Sequence, residues 1–229
     1  MSMNVFQEIR SNPKLPAYVG VPSDESRSPA VIIFMHAPGV DKPMEKVVDD
    51  LVEAGFAAIC FDVYRGGILE NDYTDFSVFE DFETTINFVK NNLENVDPSR
   101  IGVLGFCMGG RYAYLAAARY AEQLNAVVSF YGFPTRGEDE NDTPILLVQE
   151  MECPVLGIFG KQDHLFPFSD VEEFQEKLLS NKPRYGSHLI RVYDDVGHGF
   201  LNPFSPRYGD GKSAQLAWNE TVEFYKRYL

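Results

Sequence analysis

Short apolar runs alternate with amphipathic stretches along most of the chain, and the two periods switch in a regular order. Ala17–Val21 reads as a short strand, and the polar loop from Pro22 to Pro29 separates it from Ala30–Met35, a continuous β-branched run of the kind buried on both faces of a sheet. Lys42–Ala54 then places Met44, Val47, Val48, Leu51 and Val52 at helical spacing and stops at Gly55, a helix-terminating signal. Phe56–Phe61 predicts the next strand, and Asp72–Asn92 a helix that ends before the break expected at Asp97-Pro98. From Ile101 to Ala121 the pattern reads strand, sharp turn, helix. Strands follow at 126–132, 154–160 and 187–193, with helices at 169–179 and 213–228. No repeat or low-complexity linker interrupts the alternation. It predicts one α/β domain over residues 1–229, a mostly parallel, doubly wound sheet of about seven or eight strands with helices on both faces. Such sheets bind ligands at the carboxyl ends of their strands.

The polar residues just past those ends are the candidates for chemistry. In Gly105-Phe106-Cys107-Met108-Gly109-Gly110, glycines bracket a cysteine as they bracket the nucleophile of G-x-S-x-G, where a strained turn needs neighbours without β-carbons. A helix starting at Met108 would aim its unpaired amides and positive dipole end at the sulfur. Asp163 follows the strand 154–160, and His198 lies in the small-flanked loop Gly197-His198-Gly199-Phe200. Cys107, Asp163 and His198 thus stand in the order nucleophile, acid, base. Asp194 and Asp195 compete for the acid because they closely precede His198; Asp163 is preferred because a whole strand-helix-strand unit separates it from the histidine.

Composition narrows the partners. At 229 residues the chain can bury one large core, and its 34 acidic against 20 basic residues give a net charge of −14, which argues against nucleic acid and anionic membranes. Three scattered cysteines make no disulfide framework, and residues 1–10 lack a signal-peptide pattern, so a cytoplasmic location is expected. The four histidines show no metal-binding spacing, and neither metal nor other cofactor is expected.

On these motifs, with Gly160-Lys161-Gln162-Asp163-His164 and Ala57-Ala58-Ile59-Cys60-Phe61-Asp62-Val63-Tyr64, the chain resembles the dienelactone hydrolase (carboxymethylenebutenolidase) family of α/β-hydrolases over nearly its whole length. The resemblance implies a Cys107–His198–Asp163 triad, an oxyanion hole from the backbone N–H groups of Met108 and Ala37, and hydrolysis of a small ester or lactone through a Cys107 acyl-enzyme. The alternatives on the same fold are a thioesterase or other acyl hydrolase and a non-catalytic ligand-binding relative. The expected partner is a small molecule, with the protein a monomer or weak homo-oligomer.

Two positions depart from the family pattern. His36 stands where a glutamate holds the resting thiol, and Asn202 where an arginine binds the substrate carboxylate. His36 reads instead as a brace for the oxyanion loop, and Arg65 or Arg207 could substitute for the missing arginine. With the anion at position 36 gone, a thiolate on Cys107 is expected to be populated at neutral pH in the free enzyme and to act on uncharged esters as readily as on carboxylate-bearing lactones. Tyr64, Tyr131, Phe133, Phe166 and Phe200 are expected around the acyl pocket.

Overall fold

The computed structural model describes residues 5–9, 14–23, 27–66, 73–202 and 211–229, with only the backbone described at 5 and 6. Among these residues eight strands form one sheet: β1 (Val5–Ile9), β2 (Leu15–Gly20), β3 (Ser28–Phe34), β4 (Ala57–Phe61), β5 (Val96–Phe106), β6 (Ala126–Phe130), β7 (Val155–Gly160) and β8 (Leu189–Tyr193). Their spatial order is β1-β2-β4-β3-β5-β6-β7-β8. Every pairing from β4 to β8 is parallel, while β1 and β2 add an antiparallel edge.

Among the described residues, five α-helices cover the two faces: α1 (Lys42–Glu53), α2 (Asp75–Asn92), α3 (Met108–Arg119), α4 (Phe168–Ser180) and α5 (Lys212–Tyr228). One core packs α2, α3 and α4 against the sheet, and the other packs α1 and α5 on the opposite face. The central strands alternate between these cores: Ile32 and Phe34 of β3 face the first, Val31 and Ile33 the second. Both sets are apolar, which is why these strands read as unbroken hydrophobic runs.

Three details differ from the sequence reading. Strand β5 starts at Val96, so Asp97-Pro98 lies inside the strand rather than breaking the chain ahead of it. Pro98 is exposed there, and the partner β3 changes register between Ser28 and Ala30, so that stretch loses no regular ladder bond to the missing N–H. Helix α2 begins at Asp75, capped reciprocally by Thr74 and Ser77. Strand β1 was not expected, because five residues paired on one side carry too weak a pattern to stand out. Among the described residues no helix is long and apolar enough to cross a membrane.

Candidate active site

The site candidates gather where β3, β5, β6, β7 and β8 end. Cys107 sits between β5 and α3 with φ 57° and ψ −119°, a conformation that costs a non-glycine residue strain. The turn is held from both sides, since the Cys107 amide donates to the Phe130 carbonyl at 3.1 Å and the Cys107 carbonyl accepts from the amides of Gly110 and Arg111 at 3.0 and 3.2 Å. The glycines are needed for contact. A Cβ on Gly105 would lie 2.1 Å from the Gly109 carbonyl oxygen, and one on Gly109 would lie 2.2 and 2.4 Å from the carbonyl oxygens of Phe34 and Met35. The end of β3 therefore crosses the first turn of α3, which brings the loop holding Ala37 towards Met108.

That loop is braced by His36, whose Nε2 meets Asp41 Oδ1 at 2.9 Å, while the same carboxylate oxygen caps α1 by accepting from the Met44 amide at 3.2 Å. The Gly39 amide closes the turn on the His36 carbonyl at 3.0 Å. Gly39 has φ 96°, and the Tyr64 ring packs against it where a Cβ would come within 3.4 Å.

His198 approaches from the loop after β8. Backbone bonds tie this loop to the one after β7: Lys161 donates to the Tyr193 carbonyl at 2.9 Å and Gln162 to that of Val196 at 3.0 Å. A Cβ on Gly160 would fall 2.4 Å from the Val196 oxygen, so only glycine allows the loops to cross this closely. The crossing delivers Asp163 Oδ2 to His198 Nδ1 at 2.7 Å, and Asp163 Oδ1 accepts the Leu165 amide at 2.9 Å. Both side chains are nearly out of solvent, at 7% for His198 and 2% for Asp163. Asp194 pairs instead with Lys161, and Asp195 accepts from the Ser213 hydroxyl.

Burial pulls the His198 pKa down, but the hydrogen bond to Asp163 and the neighbouring Cys107 outweigh it and raise it to about 9. Among the described residues, aromatic rings pack against the imidazole from Tyr131 at 4.9 Å, Phe133 at 5.6 Å and Phe166 at 6.3 Å between centroids. Tyr131 itself has φ 41°, and burial pushes its hydroxyl well above the usual range.

The remaining candidates divide. Tyr64 lies with Met108 and Tyr73 around a small hollow on the α2 side. Asn202 and His36 line a larger cleft on the α1/α5 side. Arg65 does not turn to the site, since its guanidinium makes a bidentate pair with Asp81 at 2.6 and 2.8 Å. Phe200 is fully buried among Phe130, Tyr131 and Tyr193, as a core residue. Arg207 lies outside the described residues. Sequence reasoning missed Arg136, on the loop after β6. Its guanidinium stacks 4.1 Å from the centre of the Phe133 ring and comes within 3.7 Å of the Met108 sulfur. Among the described residues it pairs with no carboxylate, unlike Arg65, Arg111 and Arg119. Its only sequence signal was a cation a few residues past a strand end, within an acidic loop.

Comparison with known proteins agrees with this arrangement of strands and loops. Residues 15–229 match the model of the "Dienelactone hydrolase family". The chain is 28% identical over 228 residues to the Bradyrhizobium sp protein named "Probable 2-oxo-3-(5-oxofuran-2-ylidene)propanoate lactonase", covering 93% of this chain and 89% of that one. It is also 28% identical to the "Putative carboxymethylenebutenolidase" of Escherichia coli strain K12, covering 93% and 83%. The crystal structure titled as a putative dienelactone hydrolase from Klebsiella pneumoniae superposes over 100% of both chains with a TM-score of 0.88 at 25% identity. The Pyrococcus furiosus esterase Pf2001, at 20% identity and a TM-score of 0.75, shares the fold. The chain belongs to the dienelactone hydrolase family, and it is an ester or lactone hydrolase built on the α/β-hydrolase fold.

Proposed function

We propose that the protein cleaves a small ester or lactone by nucleophilic catalysis, with Cys107 as nucleophile, His198 as base and Asp163 as the group that orients it. The observation that carries this reading is the buried His198–Asp163 pair at 2.7 Å, set beside the Cys107 elbow at the strand ends, with the His198 pKa raised to about 9 by Asp163 and Cys107. In the first step the sulfur attacks the carbonyl carbon while the proton of the Cys107–His198 pair is held on His198 Nε2. The oxygen that gains charge is stabilised by the backbone N–H groups of Met108 and Ala37, aided by the N-terminus of α3. Collapse of this intermediate expels the alkoxide, which takes the proton from His198, and leaves a thioester. For a lactone the leaving hydroxyl stays tethered and the ring opens. Water then gives a proton to His198 as its oxygen attacks the thioester, and collapse releases the Cys107 sulfur beside the protonated His198 and the product as an acid. Asp163 holds the Nδ1 proton of the ring and stabilises the imidazolium in both halves.

The substrate class is a lactone or ester of modest size, as the names of the lactonase and carboxymethylenebutenolidase relatives suggest. Selective labelling tests the mechanism. Cys60 and Cys153 are fully buried and burial raises the pKa of both, that of Cys153 to about 12, so both are poor targets. A limiting dose of iodoacetamide, followed by peptide mass spectrometry, should find the adduct on Cys107 together with loss of ester hydrolysis. Full activity after complete Cys107 alkylation would remove the nucleophile from the proposal.

A further inference from the structure

Between α1 and α5, on the face of the sheet away from α2, α3 and α4, a cleft encloses about 670 Å³ including its open mouth. Its inner end is bounded by the two loops that matter for chemistry: His36 comes from the loop that holds Ala37, and Leu201 and Asn202 from the loop that holds His198. Its floor is formed by Phe106, the residue before Cys107, and Tyr131, whose ring packs against His198 at 4.9 Å. The cleft thus begins beside the candidate nucleophile and base and runs outward between the helices, although neither Cys107 nor His198 lines it.

The walls state what could enter. Met44 and Val47 of α1 face Ala214 and Trp218 of α5 across the gap. Lys46 and Asp50 lie at the cleft but neutralise each other through hydrogen bonds of 2.8 Å, and His36 is engaged by Asp41. No unpaired cation among these groups would hold an anion, whereas the aliphatic and indole surfaces gain from covering an apolar group. We infer that this cleft is a subsite for the uncharged alkyl or aryl portion of the ester or lactone substrate, reached from the scissile bond between the His36 and Asn202 loops. The inference rests on the ester-hydrolase reading and adds to it a preference for substrates with an apolar arm. That arm can belong to the acyl or the alcohol side of the bond.

Two substrate series separate the sides. 4-Nitrophenyl esters from acetate to octanoate lengthen the acyl group, and acetate esters from methanol to octanol lengthen the alcohol. Along one series kcat/KM should rise about ten-fold or more, as expected for burying several methylenes. Filling the cleft with Val47→Phe or Ala214→Leu should erase that rise, read as the ratio of the longest to the shortest substrate within each protein. Trp218 is the chain's single tryptophan and so reports occupancy without catalysis. N-methyloctanamide, an amide analogue, should shift its emission saturably, and N-methylacetamide should not. Equal ratios in the wild type and both variants, or a tryptophan response that does not saturate, would overturn the subsite. Failure to hydrolyse any ester, with the Trp218 response intact, would instead overturn the hydrolytic reading and leave the cleft as an apolar binding site.

Discussion

At the scale of single residues, the protonation of His198 controls what can be measured. Its pKa is raised to about 9, so the contribution of the His198–Asp163 pair to stability is complete below the ordinary histidine value of 6.5 and is lost as pH rises through about 9. The proposed mechanism needs the same proton to leave with the alkoxide. The alkaline limb of kcat/KM should therefore fall near pH 9, and Asp163→Asn should move that limb to lower pH by removing a contact that raises the pKa. Asp163→Asn should also cost about 10²- to 10⁴-fold in kcat, and His198→Ala several orders of magnitude. A costlier Asp194→Asn or Asp195→Asn would reassign the acid. Arg136 belongs at this scale too. Its guanidinium lies beside Met108 and pairs with no carboxylate among the described residues, so it is the cation expected to read a carboxylate on the substrate. Arg136→Gln should lower the ratio of kcat/KM for 4-nitrophenyl hydrogen succinate over 4-nitrophenyl butyrate by about ten-fold, the worth of one charge-assisted hydrogen bond. An unchanged ratio would leave Arg136 as a surface cation.

At the scale of elements, the site depends on how closely the ends of β3 and α3 cross. Gly109→Ala would press a methyl group onto two backbone carbonyls that no rotamer change can move. It should destabilise the fold by ~3 kcal/mol, read as a lower urea midpoint at unchanged m-value, or force the elbow apart with loss of activity. Asp41 links two elements by one side chain, capping α1 while holding His36. Asp41→Ala should cost about 1 kcal/mol in stability as a lost cap. Because the brace on the Ala37 loop goes with it, kcat should fall more than KM changes. A variant that keeps kcat would show that the Gly39 turn and Tyr64 hold the loop alone.

At the scale of the whole molecule, acid should unfold the protein through a group far from chemistry. His188, just ahead of β8, is 5% exposed, and burial lowers its pKa to about 4. In the unfolded chain it binds a proton near pH 6.5, so stability is full above that value and declines as pH falls from 6.5 towards 4, by on the order of 3 kcal/mol. Melting temperatures of wild type and His188→Gln measured across that window should converge as pH falls. Parallel curves would place the acid sensitivity on the carboxylates.

The alternation of periods along the chain was enough to determine the element order from β2 onward, the parallel part of the sheet and the elbow, because each is written in local spacing: apolar runs for strands buried on both faces, helical periods for their covers, glycines where two backbones touch. The order Cys107, Asp163, His198 was legible for the same reason, each lying just past a strand. For the carboxylate, the strand-helix-strand spacing favoured Asp163 while Asp194 and Asp195, nearer in sequence, still competed; the crossing of the β7 and β8 loops at Gly160 brings Asp163 to His198. Tertiary structure alone also turned Arg65 to Asp81, brought Arg136 onto Phe133 and Met108, and opened the cleft between α1 and α5. Long side chains choose partners across the fold, and a cleft is the space two helices leave between them, so neither leaves a period in the sequence.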